Sequence, residues 1–199
     1  LSPSDASVLQ SHLAFTELLA DEKRFRRRVA SPKPNHASVV IWVEVGHHKM
    51  LLGADLETTS DPRTGWSAIL SESTAVSGEA SLFKTPHHGS ENGHHEGVWT
   101  DLLLDEPFAL VSSFCRGKKP LPCPTDVERL LSLTPYAYAT SPTRLRKTKW
   151  RDRVVRDQVT QVTRRIYGVR QGWGHARLRK RIDEQDPHWH VELFGDAVA

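Results

Sequence analysis

Two apolar strand segments end in residues of the kind that bind metal ions, and this feature restricts the fold most. The first segment begins at Lys49 and ends in Gly-Ala-Asp55. The second covers 80–84, about thirty residues later, and continues into Thr-Pro-His87-His88-Gly-Ser. A carboxylate and an imidazole at neighbouring strand ends can converge on one ion, because zinc and similar metals bind both. The alternative is that Asp55 caps a turn and that the two histidines form a surface loop.

Predicted strands and helices are interleaved along the chain, which is typical of an α/β (α+β) protein with a mixed sheet flanked by helices. The apolar runs 38–45 and 49–55 predict a β-hairpin around a turn at Gly46. A capping box beginning at Thr125 predicts a helix to about Leu133. Further helices are predicted over 5–29, 65–70, 98–104 and 155–166, and further strands over 80–84, 108–113, 136–140, 174–179 and 189–193.

Positive charge is concentrated near the C-terminal end. Residues 144–181 hold fourteen Lys or Arg against two Asp, although the net charge of the chain is only +3. This asymmetry favours an acidic partner, nucleic acid first. The alternative is a solvated helix and strand whose charges face water. The candidate nucleic-acid-binding residues are Arg164, Arg165, Arg177 and Arg179, with Trp150, Tyr167 and Trp173 placed either to stack on bases or to pack under the helix.

Membrane and secretory signals are missing from the sequence. No run approaches the roughly 18–20 consecutive apolar residues that a bilayer-spanning helix needs. The first residues also lack the basic and then apolar pattern of a secretory signal. We therefore expect a cytoplasmic protein with no membrane association. Cys115 and Cys123 have a spacing that fits neither a disulfide framework nor a structural zinc site.

The order and spacing of three motifs resemble the C-terminal half of metallo-β-lactamase-fold hydrolases. The resemblance is strongest to the subgroup that includes the hydrolase domain of bacterial competence (DNA-uptake) proteins. It implies that 1–140 form the C-terminal half of a four-layer αββα metallo-β-lactamase-like sandwich. It also implies that 141–199 add a basic helix and closing strands to the same domain. The motifs are Asn35-His-Ala-Ser38-Val-Val, Leu51-Leu-Gly-Ala-Asp55-Leu and Lys84-Thr-Pro-His87-His88-Gly-Ser90.

The same resemblance implies a metal site of one or two ions, Zn²⁺ or Mn²⁺. Asp55 falls on the position of the bridging carboxylate, and His88, or as the less favoured choice His87, falls on the histidine ligand. Asp55 would orient the nucleophilic hydroxide, and the other histidine would support the ligands or contact a scissile phosphate. Asn35 takes the place of another histidine ligand, and Gly89 and Ser90 are candidate donors to a developing oxyanion.

The His-x-His-x-Asp-His loop that supplies the remaining ligands in that fold is missing from this chain. His188 and His190 have the first spacing, but Val191-Glu192 follows, so we assign both histidines to a strand. We expect a second chain that supplies the N-terminal half of the fold. A cleaved or cut polypeptide and a half that never binds metal are the alternatives. A half sandwich would expose an apolar patch, so the isolated chain is expected to be insoluble or self-associating.

These features predict a subunit or C-terminal half of a metal-dependent hydrolase that cleaves phosphodiesters, as a nuclease or nucleotide phosphodiesterase. Cationic side chains neutralise phosphates, so nucleic acid or a nucleotide is the expected substrate. One alternative is a non-catalytic binding or regulatory subunit that docks nucleic acid or an acidic protein through the basic C-terminal segment. Another is lactonase, thioesterase or β-lactamase activity on the same metals, which an apolar pocket with few basic residues near Asp55 would favour.

Overall fold

The computed structural model describes residues 4–20, 34–72, 76–114, 120–142, 153–162, 173–183 and 188–199. Within these ranges the chain forms α-helices, β-strands and short 3₁₀ turns. The helices are α1 (Asp5–Ala20), α2 (Gly65–Glu72), α3 (Glu96–Asp101), α4 (Pro124–Leu133) and α5 (Arg153–Val162). The strands are β1 (Ile41–Val45), β2 (His48–Leu52), β3 (Ala80–Lys84), β4 (Leu103–Val111), β5 (Ala137–Ala139), β6 (Gly174–Arg179) and β7 (His190–Gly195).

Five strands form one mixed sheet in the order β1-β2-β3-β4-β5. β1 and β2 are the predicted antiparallel hairpin, and the pairs β2–β3, β3–β4 and β4–β5 are parallel. Because parallel neighbours run in the same direction, the carboxyl ends of β2, β3 and β4 lie at one edge of the sheet. The mixed sheet with its helices confirms the predicted α/β (α+β) class. The four-layer sandwich stays a prediction.

One face of this sheet packs against α2 and α3 through a cluster of buried apolar side chains. Phe83 in the middle of β3 is 2% exposed, and its ring meets the edges of Trp66 on α2 and Trp99 on α3. Such edge-to-face contacts add to the free energy gained by burying the rings. The buried members of the cluster are Val40, Leu51, Leu56, Trp66, Ile69, Ala80, Phe83, Val98 and Leu103.

The last two strands, β6 and β7, pair with each other as a separate antiparallel sheet, as the two predicted closing strands require. Residues on either side of β7 contact the main sheet. The indole Nε1 of Trp189 donates to Ser81 Oγ at 3.1 Å, and Ala139 forms a β-bridge with Val198. These contacts are in keeping with closing strands that belong to the same domain, while the division near residue 140 stays a prediction. No helix in the described ranges is long and apolar enough to cross a bilayer.

Most element boundaries differ from those predicted by one to a few residues, and the starts of α4 and β4 have an identifiable cause. α4 begins at Pro124, with Cys123 rather than the predicted Thr125 as its N-cap, because the Asp126 carboxylate accepts from the backbone N–H of Cys123 at 2.9 Å and caps this turn. β4 begins at Leu103, where a helix was predicted to continue, because Leu103 pairs with Ala80 of β3. The remaining predicted elements are present, although 21–29 and 163–166 lie outside the described residues.

Candidate functional site

The turn after β2 and the loop after β3 are joined by backbone hydrogen bonds. Leu52 and Lys84 are register partners at the ends of their strands. Beyond them, Gly53 N donates to the Lys84 carbonyl oxygen at 2.9 Å, and His87 N donates to the Ala54 carbonyl oxygen at 3.1 Å. The two segments singled out in the sequence therefore lie side by side at one edge of the sheet.

Backbone strain is concentrated at the same edge. Among the described residues, four that are not glycine have positive φ, and three of them are here: Ala54 at 48°, His87 at 42° and His88 at 58°. Each such residue costs on the order of 1–3 kcal/mol and persists only where its surroundings hold it. Strained residues cluster at functional sites, so this clustering supports a functional edge independently of any motif.

Asp55 and His88 each keep a metal-binding atom without a partner among the described residues. Asp55 is exposed, and no group in the described ranges donates a hydrogen bond to its carboxylate. His88 Nδ1 donates to the carbonyl oxygen of Ser112 at 2.8 Å, and its ring stacks on Phe114. This bond places the proton on Nδ1 and leaves the Nε2 lone pair for another partner, which is the usual arrangement of a metal-binding histidine.

His87 is held differently, because both of its ring nitrogens already have partners. Nδ1 lies 3.2 Å from Glu57 Oε1 and 3.1 Å from Ser90 Oγ, and Nε2 lies 3.4 Å from Asn35 Nδ2. Asn35 Nδ2 also donates to Glu57 Oε1 at 2.9 Å. Asn35, Glu57, His87 and Ser90 thus form one network, which ties the loop after β3 to the segment before β1. His87 supports this edge rather than offering a free nitrogen.

Glu57 and Arg129 are site residues that the sequence analysis missed. Asp55 and Glu57 flank Leu56, which is 2% exposed. In an extended segment the side chains of residues i and i+2 lie on the same side of the backbone, so a buried Leu56 could have indicated that both carboxylates lie on the opposite side. Arg129 on α4 donates to the Gly89 carbonyl oxygen at 2.8 Å and to Asp126 Oδ1 at 3.0 Å. The sequence did contain a signal for the Arg129–Asp126 pair, because residues three apart on one helix are neighbours on its surface.

The predicted oxyanion donors are largely engaged inside the loop. Gly89 N donates to the Pro86 carbonyl oxygen at 2.8 Å, and Ser90 N donates to that of His87 at 3.1 Å. Neither backbone N–H is available to a substrate in this conformation. Of the donors predicted there, the hydroxyl of Ser90 remains, and it is buried beside His87.

A cleft of about 440 Å³ opens beside Asp55. Val39, Ile41 and Leu52 form its apolar wall, and Lys84 and Asp55 bring opposite charges to it. Burial lowers the pKa of Lys84, while the negative charge of Asp55 acts in the opposite direction. The cleft therefore offers an apolar surface next to one partly desolvated ammonium group.

Histidines elsewhere have structural surroundings. His190 is the first residue of β7, as predicted, whereas His188 lies two residues before the strand, and its assignment to the strand was wrong. The His188 ring packs on Phe108 and Tyr136. Burial lowers the pKa of His94, and the positive charge of Arg129 lowers it further. Over the described ranges, no three or more His, Cys, Asp or Glu side chains lie close enough together to hold a metal ion.

The predicted nucleic-acid-binding arginines are only partly within the described residues. Arg164 and Arg165 lie outside them, as do Trp150 and Tyr167. On β6, Arg177 makes two hydrogen bonds to Glu192 at 2.8 and 3.0 Å, and Arg179 makes one at 2.5 Å. Both arginines therefore share one counter-ion on the neighbouring strand, which reduces the charge they present to an acidic partner.

Glu192 gives this pairing a measurable pH dependence. Its hydrogen bonds with Arg177 first and then with Arg179 lower its pKa to about 2, from 4.5. A carboxylate with a lowered pKa stabilises the folded state above the unfolded pKa, and this contribution is lost as the pH falls towards about 2. We expect the ¹³C carboxyl resonance of Glu192 to titrate near pH 2 and to move towards 4.5 in the Arg177→Gln/Arg179→Gln variant. A midpoint near 4.5 in the unmodified chain would show that the pairing does not persist in solution.

Comparison of the chain with protein-family models, with curated proteins and with solved structures gives no match. What is established about this edge of the sheet therefore comes from its own residues and their contacts.

Proposed function

We propose that this chain is one half of a metal-dependent hydrolase of the metallo-β-lactamase fold. The other half would be a segment carrying a His-x-His-x-Asp-His loop, and the expected substrate is a phosphodiester. The observation that carries the proposal is the juxtaposition of the two strand ends, linked by the hydrogen bond from His87 N to the Ala54 carbonyl oxygen. Strained backbone at Ala54, His87 and His88 supports it, because strain of this kind accompanies functional geometry.

Asp55 and His88 are the residues that would hold a Zn²⁺ or Mn²⁺ ion. An exposed carboxylate and an imidazole whose Nδ1 is bonded to a backbone carbonyl fit the donor set that these metals prefer. When bound, such an ion lowers the pKa of a water molecule towards neutrality and polarises the bond under attack. Glu57, Asn35 and Ser90 hold His87, and Arg129 holds the Gly89 carbonyl, so the strained loop keeps its geometry.

The phosphodiester assignment is supported by positive charge. The region 144–181 is strongly basic, and Lys84 brings a further cation to the cleft beside Asp55. Cationic groups attract phosphates without reading the base sequence. A second candidate is a carboxylic ester, thioester or lactone, because Val39, Ile41 and Leu52 make one wall of the cleft apolar. A nuclease assay and an esterase assay on the completed protein separate the two.

The test of the proposal is the metal content of natively expressed protein together with mass spectrometry of co-purifying chains. We expect zinc or manganese to accompany the chain and a complementing segment, and to be lost from the Asp55→Ala/His88→Ala variant. The matched control is Asp105→Ala/His190→Ala, which removes an exposed aspartate and an exposed histidine from β4 and β7. Because loss of supporting groups alone costs 10–100-fold in metal affinity, loss of two ligands should exceed about a hundredfold.

Two results would contradict the proposal. One is metal that remains bound in the Asp55→Ala/His88→Ala variant. The other is a chain that binds neither metal nor a complementing segment and hydrolyses nothing. The second result would instead favour a non-catalytic binding or regulatory subunit, in which the basic C-terminal segment docks nucleic acid or an acidic protein. Charge reversal around Arg164 and Arg165 should then abolish binding, whereas loss of Asp55 and His88 should not.

A further inference from the structure

Lys84 occupies an unusual place for a lysine. It is the last residue of β3, a strand that is otherwise buried, and its side chain lies at the wall of the cleft beside Asp55. Nζ donates to the carbonyl oxygen of Thr85 at 2.8 Å. An ammonium group has three N–H donors, so this bond leaves two of them for other acceptors.

The nearest opposite charge that acts on Lys84 within the cleft is that of Asp55. Burial lowers the pKa of Lys84, and the negative charge of Asp55 acts in the opposite direction. Among the described residues that line the cleft, Lys84 is the only cation and Asp55 the only anion. If Asp55 binds a metal ion, its negative charge is shared with that ion, and Lys84 is left without a full counter-ion. A partly desolvated cation without a counter-ion favours an anionic ligand.

The remaining walls of the cleft indicate what accompanies the anion. Val39 and Ile41 are about half exposed, at 52% and 48%, and Leu52 completes the same surface. Ser38 and Ser112 add two serines to the lining. An apolar or flat group can lie on the three aliphatic side chains while a charged group reaches Lys84, since ligand sites combine apolar walls with a few placed polar groups.

We infer that Lys84 selects the substrate of this site by binding its negatively charged group, while Val39, Ile41 and Leu52 bind an apolar or aromatic group next to it. The substrate class is thus an anionic ester with an apolar or aromatic substituent, such as an aryl or nucleoside phosphodiester. This inference rests on the proposed function, because it is metal binding by Asp55 that frees Lys84 for the substrate.

The test measures ligand binding without turnover. The full chain carrying Asp55→Asn, which removes the negative charge that a bound metal ion would offset, is treated with a metal chelator. It is titrated with diphenyl phosphate and with its neutral methyl ester, and binding is followed by NMR at the methyl groups of Val39, Ile41 and Leu52. In this binding test the Lys84 variants are made in the Asp55→Asn chain, and the unmodified chain is Asp55→Asn with Lys84 intact. We expect diphenyl phosphate to shift these methyl resonances. Its dissociation constant should rise at least about tenfold in Lys84→Met, because a hydrogen bond to a charged group is lost. Lys84→Arg, which keeps the charge, should stay within about threefold of the unmodified chain.

The neutral ester is the ligand control. It should bind the unmodified chain and Lys84→Met equally, because it offers Lys84 no negative charge. The inference is overturned if diphenyl phosphate leaves the methyl resonances unchanged, or if Lys84→Met binds it as tightly as the unmodified chain does. Methionine has nearly the shape of the lysine stem, and the methyl spectrum itself reports whether the variant is folded.

Failure of the proposed function gives a different pattern. Binding of diphenyl phosphate that depends on Lys84, together with no metal and no hydrolysis in the completed protein, would establish the anion subsite and refute the hydrolase. Metal-dependent hydrolysis with equal rates for Lys84→Met and the unmodified chain would establish the hydrolase and refute the role of Lys84.

Discussion

Replacement of Phe83 by alanine is expected to lower the free energy of unfolding by about 3–5 kcal/mol. Phe83 is 2% exposed at the centre of β3, and its ring lies against Trp66 and Trp99 at centroid distances of 6.4 and 5.4 Å. The change removes the ring contacts between β3 and both covering helices, and it leaves a cavity that the close-packed surroundings fill only in part. Urea denaturation followed by tryptophan fluorescence measures the loss.

Phe15→Ala provides the matched control for this prediction. Phe15 lies on α1 and is 59% exposed, so its removal should change the free energy of unfolding by no more than about 0.5 kcal/mol. Equal effects of the two substitutions would mean that the cluster around Phe83 is not the core of the folded protein.

Gly65→Ala is expected to lower the free energy of unfolding by about 2–4 kcal/mol, from a left-handed backbone penalty and from overpacking. Gly65 begins α2 with φ of 64°, and a Cβ there would lie 2.3 Å from the carbonyl oxygen of Glu57. Relief of this clash requires the backbone of Glu57 to move. Because Glu57 holds His87, the variant should also change the NMR resonances of the His87 ring, which is a readout separate from stability.

Gly78→Ala shows how much of the effect of Gly65→Ala comes from the left-handed backbone and how much comes from overpacking. Gly78 also has positive φ, 77°, but a Cβ there would meet only the far end of the flexible Lys49 side chain. Gly78→Ala should therefore lower the free energy of unfolding only by the left-handed backbone penalty, about 1 kcal/mol. The NMR resonances of the His87 ring should stay unchanged. If both variants lose the same stability, the close approach of Glu57 to α2 is not present in solution.

Local patterns in the sequence were sufficient to predict most of the elements of this fold. The hairpin of β1 and β2 follows from two apolar runs around Gly46, and β3 follows from a run that is buried on both faces. The start of α4 was harder to predict, because the capping box from Cys123 to Asp126 overlaps the predicted one from Thr125 to Glu128. Asp126 caps the turn by accepting from Cys123, and Pro124 is compatible with the first helical position. The start of β4 depends on pairing between Leu103 and Ala80, which no local pattern reveals.

The candidate site was only partly predictable, for a similar reason. Asp55, His87 and His88 follow strand ends, so their placement depends on neighbouring residues in the sequence. Glu57 acquires its role through Asn35 and His87, and Arg129 acquires its role through Gly89, forty residues away. Such partners are set by the packing of α4 and of the segment before β1 against the sheet. Lys84 belongs to a predicted motif, but the desolvation of its ammonium group follows from the tertiary structure.

The left-handed backbone at His87 and His88 implies a trade-off between stability and side-chain chemistry. Glycine is the residue that tolerates φ of 42° and 58° at least cost, and Gly89 with φ of 74° follows directly. Glycine in place of the histidines would relieve the backbone, but it would also lose the contacts of His87 with Glu57 and of His88 with Ser112. The two imidazoles thus offset the cost of their backbone conformation through the contacts that their side chains make, and each substitution there would change backbone strain and side-chain contacts together.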